Sequence, residues 1–473
     1  MIFTSVTFIV FFAVVLALLG LIRGASGRIW ILLLASYIFY ANWNVYYAIL
    51  IFLYGVWGWG LGLAMAKTRR PALKKFYFGL SLFLTLGTLA YFKYANFLSS
   101  NFSTVFGVPS LGSVDVVLPV GISFFTFHTL SYIIDLYRGH IVASRNPVKF
   151  FLFVSFFPQL VAGPILRASS FLPQLDKPVV INWANAIAGT QLFIGGAIQK
   201  VLFADHLSIF VDPVFRSPEI YSPGTLWLAI VAYSMQIFCD FSGYSMMAIG
   251  TAKFIGFDLP ENFRMPYLSQ SISEFWRRWH ISLSSWLRDY LYIPLGGNHD
   301  GVMRTQVNMM ITMLLGGLWH GASWNFVLWG ALHGIALVVH RGWVGWRGRA
   351  MPGLSPDGAA YRTASWAVTL LFCGLAWIPF RSPSFDSTLL ILRGLLPRSG
   401  GSIEWYHTPS LVILGAAIAW HALYQFAPVV MAKIPFRDDQ VRKWPAMFIL
   451  GFTVLLLFLF APLSASPFIY FQF

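Results

Sequence analysis

Charge is what this 473-residue sequence has least of. Only 10% of its residues are Asp, Glu, Lys or Arg, against about 25% in an ordinary globular domain. Hydrophobic residues make up 58%, aromatics 18%, and the mean hydropathy is +0.69. Those values exclude a soluble fold, a disordered chain and a collagen-like one. Cysteine is nearly missing too. Cys239 and Cys373 sit alone in apolar stretches, so neither a disulfide framework nor a thiolate zinc site can be drawn. There is no G-x-S-x-G, no P-loop and no G-x-G-x-x-G, which argues against a self-contained serine hydrolase and an ATP-driven pump. Transporter-type internal repeats, low-complexity tracts and a soluble domain are also absent. What is left is an all-α polytopic membrane protein, read as a single integral membrane domain over 1–473.

Basic residues outnumber acidic ones, 32 to 17. In a membrane chain this excess is first a positive-inside signal rather than a nucleic-acid footprint. Apolar runs long enough to span, about 20 residues each, are expected at 3–22, 29–43, 45–66, 76–98 and 117–137. The first, Met1 to Ile22, has no basic n-region or small-residue cleavage site and reads as a retained span. The loops between these spans alternate. Arg23 and Arg28 follow the first, 41–44 is uncharged, and Lys67, Arg69, Arg70, Lys74 and Lys75 follow the third. Only Asp115 lies in 99–116, and Arg138, Arg145 and Lys149 follow the fifth. The N-terminus is therefore placed outside. Toward the other end, Arg341, Arg347, Arg349 and Arg362 mark an inside loop before a span at 363–380. A span at 409–427 returns to Lys433, Arg437, Arg442 and Lys443, and one at 446–464 leaves the C-terminus outside as well.

The middle is less regular. Segment 148–166 is apolar but interrupted by Pro158, Gly163 and Pro164, so it is expected to be re-entrant and enclosed by protein or a water-filled cavity. Spans follow at 183–211 and 224–257, then a hairpin of 305–322 and 323–341 joined near Gly321. About ten to twelve crossings result.

Polar residues inside a membrane are functional candidates by default, and they are densest from 240 to 333. Ser271 and Glu274 have capping-box spacing. From there a single amphipathic helix over 271–292 would gather Trp276, Trp279, Leu283, Trp286, Leu287 and Tyr290 on one arc, with His280 among them. Arg277, Arg278, Arg288 and Asp289 would take the opposite side, facing water and headgroups. His320 is the only titratable residue between Arg304 and His333. A neutral imidazole there can take a proton near pH 7. Either histidine is equally well explained as a hydrogen-bonded core residue. Zinc would need His320, His333 and His340, at spacings of thirteen and seven with no Cys nearby, which is a poor ligand pattern. Asp240 needs a partner. His128, His340 and His421 read as core or helix-end residues.

Five stretches resemble the membrane-bound O-acyltransferase family, in its bacterial polysaccharide-acetylating branch of alginate or cellulose type. They are LPVGISFFTFHTLSYIIDLYRG (118–139), FFPQLVAGPI (156–165), DFSGYS (240–245), ENFRMPYLSQSISEFWRRWHISLSSWLRDYLYIPLGG (261–297) and LLGGLWHGASWNFVLWGALHG (314–334). The resemblance implies tilted helices around a central tunnel. It also implies an O-acetyltransferase with His320 and His280 as catalytic residues and no metal. Acetyl-CoA would be the cytoplasmic acyl donor and a secreted polysaccharide the final acceptor. Periplasmic acyl-relay proteins would be partners, and the setting would be the bacterial inner membrane with both termini periplasmic. Trp276, Trp279, Trp319, Asp240 and Asn325 would line the substrate path. Arg277 and Arg288 would hold coenzyme A phosphates, unless they simply meet lipid headgroups. The chain departs from the branch at Met246, where an acid is common after Tyr-Ser, and at Lys253 and Phe254, where an Arg-Met pair is common. A transporter of donor or polymer without its own chemistry, and a scaffold for a periplasmic enzyme, are the competing readings.

Overall fold

Apolar runs of this length fold as helices because lipid offers the backbone no hydrogen-bond partner. The computed structural model describes residues 1–22, 24–107, 117–179, 181–351, 356–397 and 403–424, and they are helical almost throughout. Six helical stretches among them are long and apolar enough to cross a membrane, and four shorter apolar helices accompany them. The chain is a multi-pass, all-α membrane protein. The expected span 446–464, the basic residues from Lys433 to Lys443, Arg23 and Asp115 lie outside the described residues.

Two compact units divide the chain, Met1–Phe193 with Ser245–Glu261, and Ile194–Tyr244 with Asn262–Phe473. The first contains α1 (Val6–Leu21), α2 (Ala25–Ala41), α3 (Val45–Lys67), α4 (Pro71–Phe106), α5 (Ile122–Arg138), α6 (Pro147–Ser155), α7 (Phe157–Leu160), α8 (Ala168–Phe171) and the start of α9 (Trp183–Ala197). Ser5, Asn44 and Asn146 cap α1, α3 and α6 through their side-chain oxygens, and Pro71 opens α4, as helix starts favour. Fourteen of the 17 residues of α5 are buried, so this helix is an internal post rather than a lipid-facing one. Gly55, Gly58 and Gly62 on α3 leave room for the rings of Phe151, Phe150 and Tyr132.

The apolar segment is broken, as its proline and glycine content predicts. α6 stops at Phe156, α7 lasts one turn, and residues 152–166 are all buried. Its freed backbone is satisfied by protein: Phe157 N–H donates to Ser36 Oγ at 3.1 Å, and Gln159 Nε2 donates to the Phe153 carbonyl at 2.9 Å.

The second unit takes up the end of α9 and continues through a π-helical turn (Ile198–Ala204) into α10 (Asp205–Arg216). Then come α11 (Pro223–Phe254), whose end from Ser245 belongs to the first unit, α12 (Ile272–Arg278), α13 (Ile281–Leu287), α14 (Gly301–His320), α15 (Trp324–Ala350), α16 (Ala359–Arg381), α17 (Phe385–Gly394) and α18 (Thr408–Tyr424). One expectation is corrected here. Residues 271–292 do not form one helix: α12 ends at Arg278, Trp279 is extended, His280 is left-handed, and α13 starts afresh before a π turn at Arg288–Tyr292.

Candidate active site

The break between α12 and α13 is held by a strap. Asn262 accepts from Ile281 N–H at its carbonyl, 2.9 Å. Its side-chain Oδ1 accepts from Ser282 N–H at 3.2 Å and from Ser282 Oγ at 2.9 Å. Arg264 N–H closes the other side on the Arg278 carbonyl, 2.9 Å. The chain is thereby forced through φ +41° at His280, a conformation uncommon for a residue with a Cβ and worth relating to function. His280 then caps α13: its Nδ1 accepts from Leu283 N–H at 3.3 Å. An imidazole nitrogen that accepts carries no proton, so the neutral ring holds its hydrogen on Nε2. That Nε2 is buried and without a hydrogen-bond partner in the protein. The whole residue is 0% exposed, and burial pushes its pKa down to about 3, which keeps the ring neutral.

His320 is delivered by a different device. It is the last residue of α14, whose hairpin with α15 is drawn together by glycines. A Cβ on Gly317 would strike the Phe326 carbonyl, and one on Gly330 would strike the Met313 carbonyl. Ser323 caps α15 by accepting from Asn325 N–H at 3.1 Å. His320 is 4% exposed, with the rings of Trp329, Trp319 and Phe380 edge-on at 4.9, 5.0 and 5.2 Å. Trp319 also meets the His280 ring at 5.9 Å. The two predicted histidines thus flank one indole within an aromatic enclosure, and Phe241 closes on His280 at 4.6 Å.

The other predicted residues divide. Trp276 belongs to the same aromatic group, 5.7 Å from Trp329. Trp279 instead packs on Phe263, Phe275 and Trp377 at 5.0 to 5.6 Å. Asn325 Nδ2 donates to the Ser382 carbonyl at 2.9 Å, tying α15 to the end of α16. Arg277 is exposed and, with Arg347, acts electrostatically on His340. Arg288 is mostly exposed and bonded to Asp289, 2.6 Å. Asp240 has the partner it required, Lys200, whose Nζ also lies 2.8 Å from Asp205 Oδ1; all three are buried. Among the described residues no three of His, Cys, Asp and Glu gather as metal ligands.

Sequence reasoning missed Lys200 and Asp205. The available signal was the rarity of ionisable residues inside a span. Five residues apart on an α-helix, they would point about 140° away from each other. The π turn, with its i→i+5 repeat, brings them together.

Comparison with known proteins decides the family. The membrane-bound O-acyltransferase (MBOAT) profile matches residues 72–373. The chain belongs to the membrane-bound O-acyltransferase family. This MBOAT protein is 37% identical to a probable alginate O-acetylase of Pseudomonas putida over the whole of both chains. It is also 37% identical to a peptidoglycan O-acetyltransferase of Helicobacter pylori, across 80% of this chain and 75% of that protein. A teichoic acid D-alanyltransferase of Streptococcus thermophilus is 30% identical over 48% of this chain and 57% of that protein. An O-acyltransferase is what the family makes it.

Proposed function

We propose that this MBOAT protein is an inner-membrane O-acetyltransferase that takes acetyl from a cytoplasmic thioester, acetyl-CoA, for O-acetylation of a secreted polysaccharide. The observation that carries the reading is the pair of buried imidazoles flanking Trp319. His320 acts as general base: it takes the proton of the acceptor hydroxyl as that oxygen attacks the thioester carbonyl. The C–O bond forms, the C–S bond breaks, and the proton passes to the departing thiolate. A positioned base of this kind contributes about 10²–10⁴ in rate. His280 has the opposite role. Its Nε2–H donates to the carbonyl oxygen as negative charge develops there, a role whose loss costs about 10²–10³ in kcat. The aromatic enclosure keeps water from the thioester.

Whole-chain similarity to a probable alginate O-acetylase favours a polymer of alginate type over cellulose, and periplasmic relay proteins complete the transfer. Arg277 and Arg347, both acting electrostatically on His340, suit the phosphates of the donor. Both termini are periplasmic in this reading, from the charge bias of the loops.

His320→Ala should reduce the acetate content of the exported polymer to background while full-length protein remains in the membrane. Normal acetate content in that variant overturns the assignment and favours a transporter or scaffold. Labelled acetyl-CoA given to the purified protein should yield free coenzyme A only when His320 is present.

A further inference from the structure

His333 has no part in the mechanism above, yet it is enclosed as thoroughly as the two histidines that do. It is 1% exposed, and both of its ring nitrogens are buried with no hydrogen-bond partner in the protein. Its neighbours come from three helices. Trp329 lies at 4.7 Å, Trp276 at 5.2 Å, Phe372 at 5.3 Å and Phe275 at 6.1 Å between ring centroids. The indole Nε1 atoms of Trp276 and Trp329 are buried without a partner as well. A neutral imidazole offers one donor and one acceptor, and each indole one donor. Four unpartnered polar groups therefore lie within one aromatic cluster, three donating and one accepting. Buried polar groups without partners are rare and call for a ligand or water.

The set selects its ligand. The rings packed on His333 are all uncharged aromatics, which disfavours a phosphate or carboxylate against it; a hydrocarbon chain would leave all four groups unsatisfied. A secondary amide, with a carbonyl to accept and an N–H to donate, suits them. Position supports the same choice. Trp329, His333, His340 and Arg347 follow one another at four-, seven- and seven-residue steps along α15, which keeps them within a narrow arc of one face. Trp329 touches His320 at one end of this stripe, and Arg277 and Arg347 both act electrostatically on His340 toward the other. His333 lies between, about 10 Å of helix rise from His340. Coenzyme A carries its groups in the same order, phosphates, then two amides, then the thioester.

We infer that His333, Trp276 and Trp329 form a hydrogen-bonding subsite for the amide-bearing arm of the thioester donor. The inference rests on the donor reading given above and adds to it the residues that hold the arm. The test measures binding of coenzyme A, S-acetylpantetheine (arm without nucleotide) and adenosine 3′,5′-bisphosphate (nucleotide without arm) to the full-length purified protein. His333→Phe, which keeps the ring volume but removes both polar atoms, should weaken the first two about tenfold and leave the bisphosphate unchanged. His333→Gln, with a donor and an acceptor, should recover most of the loss. Should His333→Phe not fold, Trp276→Phe at the half-buried edge serves instead, with a weakening of at least threefold expected for the same two ligands. Unchanged binding of S-acetylpantetheine by a folded variant overturns the subsite and leaves the donor reading standing. Failure of the unaltered protein to bind either coenzyme A or S-acetylpantetheine overturns the donor reading and the subsite together.

Discussion

At the scale of single residues, His280 does two separable things. Its backbone turns the chain through a left-handed conformation and its Nδ1 caps α13, while Nε2–H, without a partner in the protein, is the proposed donor to the thioester carbonyl. Asn tolerates positive φ and is a good cap. His280→Asn should therefore keep the thermal midpoint near that of the unaltered protein yet lower kcat by about 10²–10³, the cost of one oxyanion donor. His280→Ala should lose the same activity and in addition about 1 kcal/mol of cap. Full activity in the Asn variant would reduce His280 to a structural turn. Acid stability gives a second check. The folded ring's pKa of about 3 lies below the ordinary histidine value, about 6.5. As pH falls below that ordinary value, the unfolded chain takes up a proton that the folded one refuses, so stability declines with falling pH down to about pH 3. Detergent-solubilised His280→Asn should show a shallower loss of thermal midpoint between pH 7 and pH 5.

How far these residues could be read in advance follows from their isolation. His320 was legible because no other titratable side chain lies within a dozen residues on either side. His280 was legible as an inward residue on an aromatic arc, but its strained backbone was not, because Asn262, eighteen residues earlier, imposes it. His333 drew attention only as an unconvincing zinc ligand. Its cage is assembled from α12, α15 and α16, and one-dimensional periodicity says nothing about such meetings.

At the scale of elements, the hairpin of α14 and α15 carries His320, and the π turn before α10 assembles the buried ion group. Gly330 faces the Met313 carbonyl so closely that any Cβ must push the helices apart. Gly330→Ala should cost about 1–3 kcal/mol through overpacking and lower kcat by displacing His320. Donor binding by the intact α12 and α15 residues, measured alongside, separates displacement from loss of the protein. The buried ion group makes a different prediction. Lys200→Met leaves Asp205 and Asp240 without their shared cation, and breaking a buried pair in this way costs about 3–5 kcal/mol. Asp240→Asn placed in the same chain should restore part of that stability, measured by thermal unfolding in detergent; no restoration would mean the three groups do not act as a unit. Most of the long helices were visible in the sequence as apolar runs. The division of 271–292 was not, because both halves share one hydrophobic arc and the strap that parts them is non-local.

At the scale of the whole molecule, composition alone separated this chain from every soluble class, and the alternation of basic loops supplied an orientation. That orientation can be tested directly, since the two native thiols, Cys239 and Cys373, are buried and give little background. Asn42→Cys, in the turn between α2 and α3, should react with a membrane-impermeant maleimide added outside intact spheroplasts. Arg70→Cys, before α4, should react only after the membrane is opened. The reverse pattern would invert the topology and with it the side from which donor enters.

The ion group bears on how the chain is made. Lys200 and Asp205 leave the ribosome within five residues of each other, whereas Asp240 follows thirty-five residues later on the next long helix. During synthesis the cation thus already has a counterion on its own segment, so α9 and α10 can enter the bilayer as an electrically balanced piece before α11 exists. In the folded protein Asp240 ties the later helix to that piece through the same cation.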